Sequence, residues 1–168
     1  MRKAHLLFLL AAAVVLAGCG FRPLYGSSPG NAGVSAELAA IVIPEASDRT
    51  GQLIRNELIS TTKAGTGGTK YTLTLTVEQS TPGVIKKRLP AVTRQAVNLN
   101  VGYELMDRSS GTVVTSGKTF STVSFDVIRQ PFADMQAETD ATERAALEVA
   151  SDIRTRLAAY FAKQQPKS

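Results

Sequence analysis

The chain opens with a segment that limits everything after it. Met1-Arg2-Lys3-Ala4-His5 is a short cationic stretch, and from Leu6 to Ala17 no charge interrupts the apolar run. That run is shorter than the about 20 apolar residues that a permanent membrane-spanning helix needs. It closes on Leu16-Ala17-Gly18-Cys19, small residues followed at once by a thiol. A cationic start, a short apolar run and a small-residue cleavage site mark an export signal. A cysteine immediately after the cut makes it a lipoprotein signal, in which the sulfur carries diacylglycerol before the peptidase acts. Residues 1–18 are expected to be removed, leaving Cys19 as a lipidated N-terminus.

This reading empties the exported chain of much of its chemistry. Cys19 is the only cysteine, so the domain must hold together without disulfides and without a cysteine metal site. The only histidine, His5, leaves with the signal. Ser-His-Asp and Cys-His nucleophile systems and nearly all zinc sites are thereby excluded, and no metal or cofactor is expected. Each buried methylene of the lipid contributes about 0.8 kcal/mol, so a triacylated end is held in the membrane almost permanently. Gly20 stands where an acidic residue would signal inner-membrane retention in enteric-type bacteria. Its presence points to the outer membrane, on the periplasmic side. The exported part keeps 17 of the 19 basic residues against 14 acids, a mild excess that argues only weakly for anionic partners.

From Gly26 to Gly33 the chain is polar and rich in breakers, so residues 19–37 read as a lipidated N-terminus and flexible tether. One domain is expected over 38–163, with a short polar tail at 164–168. Leu38 to Ile43, stopped by Pro44, predicts a buried first strand. A helix follows, with Ser47, Asp48 or Thr50 as N-cap and Leu53, Ile54, Leu58 and Ile59 as its apolar stripe. Gly65-Thr66-Gly67-Gly68 ends that helix. No Gly-Lys-Ser/Thr follows it, so the segment reads as a C-cap and turn, not as a phosphate loop. Tyr71, Leu73, Leu75 and Val77 alternate with polar residues, as do Val97, Leu99, Val101, Tyr103 and Leu105, giving two strands with one buried face each. Asp107 to Gly111 predicts a hairpin turn into a strand from Thr112 to about Phe125. The apolar phase slips between Phe120 and Val123, which predicts a bulge or bend there. A long amphipathic helix closes the chain, from Pro131 or Asp134 to Ala162. The order β-α-β-β-β-α gives an α+β domain: two helices on one face of a four-stranded, largely antiparallel sheet.

Two segments carry a family resemblance. Cys19-Gly20-Phe21-Arg22-Pro23-Leu24-Tyr25-Gly26 resembles the start of the LPS-assembly lipoprotein LptE family in one of its bacterial branches. Ala145-Ala146-Leu147 with Asp152-Ile153-Arg154-Thr155-Arg156-Leu157-Ala158-Ala159-Tyr160-Phe161-Ala162 is similar to the closing helix of that branch. The element order agrees over the whole exported chain. The resemblance implies a non-enzymatic role: a plug inside the lumen of the outer-membrane β-barrel LptD that helps the barrel assemble and binds lipopolysaccharide on its way to the outer leaflet. Ser116-Gly117-Lys118-Thr119-Phe120-Ser121 resembles the family strand that supplies a lipopolysaccharide-contacting lysine, which singles out Lys118.

The residues are compatible with that role. A barrel lumen is polar and wet, and the outward strand positions here are Thr, Asn, Ser and Gln. A phosphorylated anionic headgroup calls for Lys or Arg from strands or loops. Besides Lys118, the candidates are Lys86, Lys87, Arg88 and Arg94 in and beside the long basic connection from Pro82 to Arg94. For each, a solvated surface charge or a contact to acidic groups of the barrel wall is the alternative. A free-standing periplasmic lipoprotein that binds a lipid or peptide without any barrel is the competing function. A two-carboxylate glycan hydrolase is disfavoured because the acids sit on helix faces and the chain has no Trp. Nucleic-acid binding is disfavoured by the compartment and by the lack of a basic, aromatic-rich surface.

Overall fold

The computed structural model describes residues 32–81, 93–128 and 130–165. The elements are α1 (Ala32–Ala39), β1 (Ile41–Val42), α2 (Arg49–Thr62), β2 (Tyr71–Ser80), β3 (Thr93–Asp107), β4 (Val113–Val127) and α3 (Pro131–Gln164). The strands form one sheet in the order β1-β2-β3-β4. β1 runs parallel to β2, and the rest is an antiparallel meander. The α+β class and the four-stranded, helix-covered sheet are as the sequence predicts.

The period-two alternation decides which face the helices cover. Leu73 on β2, Val97, Leu99, Val101, Tyr103 and Leu105 on β3, and Val123 and Phe125 on β4 are all buried beneath them. The α2 stripe enters the same core through Ile54 and Leu58. The α3 stripe runs from Ala141 through Val149, Ile153 and Leu157 to Phe161. Each fully buried Leu or Ile contributes roughly 1.5–3 kcal/mol relative to an exposed one. Of the three candidate N-caps for α2, Asp48 is the one used: its Oδ1 accepts the Gly51 N–H at 2.8 Å. No described helix is long and apolar enough to cross a membrane.

Three expectations change. The segment read as tether contains a helix, α1, making three helices among the described residues where two are expected. Val34 and Leu38 stand at i and i+4 and are both buried, so an Ala-rich run with two apolar anchors docks as a helix against α2 and α3. The first strand shrinks accordingly from Leu38–Ile43 to Ile41–Val42. The glycine loop explains how α1 stops: the N–H groups of Gly65 and Gly67 both donate to the Ala39 carbonyl, at 2.9 and 3.0 Å. A Cβ on Gly67 would lie 2.9 Å from Ala39 Cβ, so a glycine is required for that approach. Those amides are committed to a backbone carbonyl, so the segment is a turn, but it is not the cap of α2: that helix ends on Lys63, left-handed at φ 56°, and the glycines serve α1 instead.

The third change concerns β4. Its register against β3 is unbroken from Thr115 to Val127, and the irregularity falls at Leu105/Met106, where Val114 is the extra residue opposite the β3 strand. The phase slip near Phe120 is chemical, not geometric. Thr119 and Ser121 occupy buried positions, at 7% and 4% exposure, and Phe120 between them points outward at 75%. Ser121 satisfies its hydroxyl by donating to Glu148 Oε2 of α3 at 2.6 Å. A polar pair faces the helix and an aromatic ring faces away.

Candidate functional site

The face of the sheet opposite the helices is uncovered by any described element. Across it run rows of cross-strand neighbours set by the register: Thr74, Glu104 and Ser116; Thr76, Gly102 and Lys118; Glu78, Asn100 and Phe120; Ser80, Asn98 and Thr122. The face is hydroxyl- and amide-rich, and some of it is internally bonded, as where Thr122 Oγ1 donates to Asn98 Oδ1 at 3.0 Å. Phe120 is the one large apolar side chain standing in the middle of these rows.

At the centre of the face lies a groove of about 480 Å3. Gly102 makes it. It sits between Thr76 and Lys118 in the central row, and it leaves a gap where every neighbouring outward position has a side chain. A Cβ there would meet only Thr76 Cβ, at 3.8 Å, so no steric demand of the fold explains the glycine. Lys118 rises on one side of the gap and Phe120 on the same strand. Glu104 and Glu78 flank it from β3 and β2, and Asn100 lines the floor beside Phe120. The Lys118 ammonium forms no ion pair with a described residue.

Of the residues singled out from the sequence, Lys118 lies in this groove and is exposed. Arg94 lies on the same face but far along it. It pairs with Asp126, Nε to Oδ1 at 3.3 Å, eight residues from Lys118 on β4, which is roughly 27 Å along an extended strand. The two cations are not brought together. Lys86, Lys87 and Arg88, like the signal segment, Cys19, Phe21 and Tyr25, lie outside the described residues. What sequence reading missed is the remainder of the groove: Gly102, Phe120, Asn100 and the two glutamates. The out-of-phase Phe120 was the available signal. Among the described residues no cluster of three metal-ligating side chains occurs.

Comparison with known proteins bears on the fold and the family. No family model and no curated protein matches the sequence. Among solved structures, a candidate lipoprotein of Caulobacter crescentus shares 31% identity over 78% of this chain and 97% of its own, with a TM-score of 0.65. The chain belongs to that protein's family. The same fold is found in a minor lipoprotein of Acinetobacter baumannii, at 16% identity over 76% of this chain and 92% of the other, with a TM-score of 0.53. It is found again in the rare lipoprotein B of Shewanella oneidensis, at 12% identity, 74% and 96% coverage and a TM-score of 0.53. At those identities the likeness concerns the fold alone.

Proposed function

We propose that this protein is an outer-membrane lipoprotein anchored through Cys19, which acts as the plug and assembly partner of an LptD-type lipopolysaccharide-transport barrel and binds lipopolysaccharide during delivery. It is not an enzyme. The observation that carries the reading is the open sheet face. A sheet with one face buried under helices and the other lined by Thr, Asn, Ser and Glu can lie against a wet, polar barrel wall and hydrogen-bond to it without exposing a large apolar patch. Kinship with a candidate lipoprotein, a fold shared with two further lipoproteins, and a signal ending just before Cys19 support the anchor. Lys118, exposed in the groove, is the described cation best placed to contact lipopolysaccharide.

The test is affinity purification of the tagged lipoprotein from mildly solubilised outer membranes. A large β-barrel recovered at one to one is the expected result. Recovery of the folded lipoprotein alone would overturn the plug reading and favour a free-standing lipid- or peptide-binding lipoprotein. Lys118→Asp separates transport from assembly: normal barrel levels with weakened lipopolysaccharide binding identify a transport contact, and two unchanged readouts make the lysine a surface charge.

A further inference from the structure

We infer that the groove over Gly102 is a saccharide site, which takes a hydroxylated sugar ring against the face of Phe120 and not a phosphate on Lys118. The inference rests on the lipopolysaccharide reading and names the part of that ligand the groove would hold.

The balance of charge argues against phosphate. The groove brings one ammonium, Lys118, together with two carboxylates, Glu78 and Glu104. Register places Glu104 diagonally across the β3–β4 ladder from Lys118, and Glu78 in the row of Phe120. Diagonal neighbours in a sheet are roughly 7–8 Å apart, within a Debye length of about 8 Å at physiological salt. An incoming phosphate therefore meets a groove with more carboxylates than ammonium groups, and the cation that would hold it is offset by its diagonal neighbour Glu104. Anion sites are built the other way, from converging cations or backbone N–H groups.

The same residues suit a sugar. A pyranose ring offers a C–H face and a rim of hydroxyls that both donate and accept. Phe120, 75% exposed on a sheet face, supplies a flat apolar platform for the C–H face. Around it stand acceptors (Glu78 and Glu104), a donor (Lys118) and two groups that do both (Asn100 and Thr76). Gly102 supplies the room, since the fold itself does not need a glycine there. A single phenyl face accommodates one ring, so the affinity expected is that of a subsite within a larger ligand.

The test is a backbone-amide chemical-shift titration of the full chain in mild detergent with four probes. These are deacylated and dephosphorylated core oligosaccharide, the disaccharide of digested peptidoglycan, inorganic pyrophosphate, and intact lipopolysaccharide. Expected are saturable shifts at residues 100–104 and 116–120 with the core oligosaccharide and none there with pyrophosphate. Phe120→Ala and Gly102→Thr should each weaken oligosaccharide binding by tenfold or more while leaving the thermal midpoint intact or raised. Glu78→Ala and Glu104→Ala decide by sign: loss of a sugar acceptor weakens binding, whereas relief of repulsion would tighten a phosphate. If pyrophosphate and intact lipopolysaccharide bind here, the oligosaccharide does not, and the glutamate variants bind more tightly, the saccharide inference is overturned and the lipopolysaccharide reading stands. If no probe binds, both fall. If only the peptidoglycan disaccharide binds, the saccharide site stands and this groove is lost to the lipopolysaccharide reading.

Discussion

Gly117 lies directly under the ring of Tyr103, its register partner across the β3–β4 ladder: a Cβ at position 117 would stand 2.6 Å from the Tyr103 Oη and 2.8 Å from its Cζ. Tyr103 is buried at 5% exposure, so its ring has little space into which to retreat. Gly117→Val is expected to destabilise the domain by about 1–3 kcal/mol through overpacking. Gly102 is the neighbouring row's glycine on the opposite face, and Gly102→Thr should be neutral or stabilising by up to about 1 kcal/mol, as a β-branched residue replaces glycine in open space. Urea melts of the two variants should move in opposite directions. Equal destabilisation would show that the open face packs against something within the domain.

A second expectation concerns the polar pair that faces α3. Ser121→Val exchanges a hydrogen bond to the exposed Glu148 for buried methyl groups, two effects of similar size and opposite sign. Its net effect should be within about 1 kcal/mol of zero. Val123→Ser, two residues along the same face, gains no such partner and should cost roughly 2 kcal/mol or more. Phe120→Ala, on the other face, should leave stability within about 0.5 kcal/mol, so its loss of ligand binding could not be ascribed to unfolding.

Helix α1 belongs to the domain. Leu38 is 5% exposed, and Leu38→Ala should cost about 2–5 kcal/mol as a buried side chain is truncated. Glu37, whose carboxylate oxygens both lie 3.0 Å from Lys70 Nζ, joins α1 to the start of β2 at the surface. Glu37→Gln should cost under about 1 kcal/mol, as exposed ion pairs do. If both variants unfold at the wild-type urea midpoint, α1 is an appendage, as the polar segment before it first suggests.

Asp107 holds the β3–β4 turn. Its Oδ1 accepts from the Ser109 hydroxyl at 2.6 Å, from Ser109 N–H at 2.8 Å and from Ser110 N–H at 3.3 Å. These bonds, the Ser109 hydroxyl first, hold its carboxyl below the usual 3.8. A carboxyl depressed on folding stabilises the native state above its unfolded pKa, and that contribution is lost as pH falls through the lower folded value. A carboxyl 13C titration should place the Asp107 midpoint below 3.8, and Asp107→Asn should remove this share of the acid sensitivity. A midpoint at or above the ordinary value would mean the turn is not closed by these bonds in solution.

The parts legible in the sequence are those that rest on neighbours in the chain. Alternation over Tyr71 to Val77 and Val97 to Leu105 is enforced by the two-residue period of a strand. The stripe from Ala146 to Phe161 follows from helical pitch, and the Asp48 cap and the Asp107 turn are bonds spanning two to three residues. Each can be read from a short window because its physical cause lies within that window.

What only the tertiary structure decided depends on residues far apart in sequence. Val34 and Leu38 become a helix because α2 and α3 offer them a surface, which no local signal in a breaker-rich segment announces. Phe120 faces outward because the unbroken register with Asn100 fixes its side of the sheet, and the α3 glutamate lets Ser121 stay inside. Thr76, Gly102 and Lys118 share one row only once the β2–β3 and β3–β4 registers are both set. The sequence could mark Lys118 as a candidate, but that it stands beside a gap, a phenyl face and two carboxylates is a property of strand pairing, and so of the fold alone.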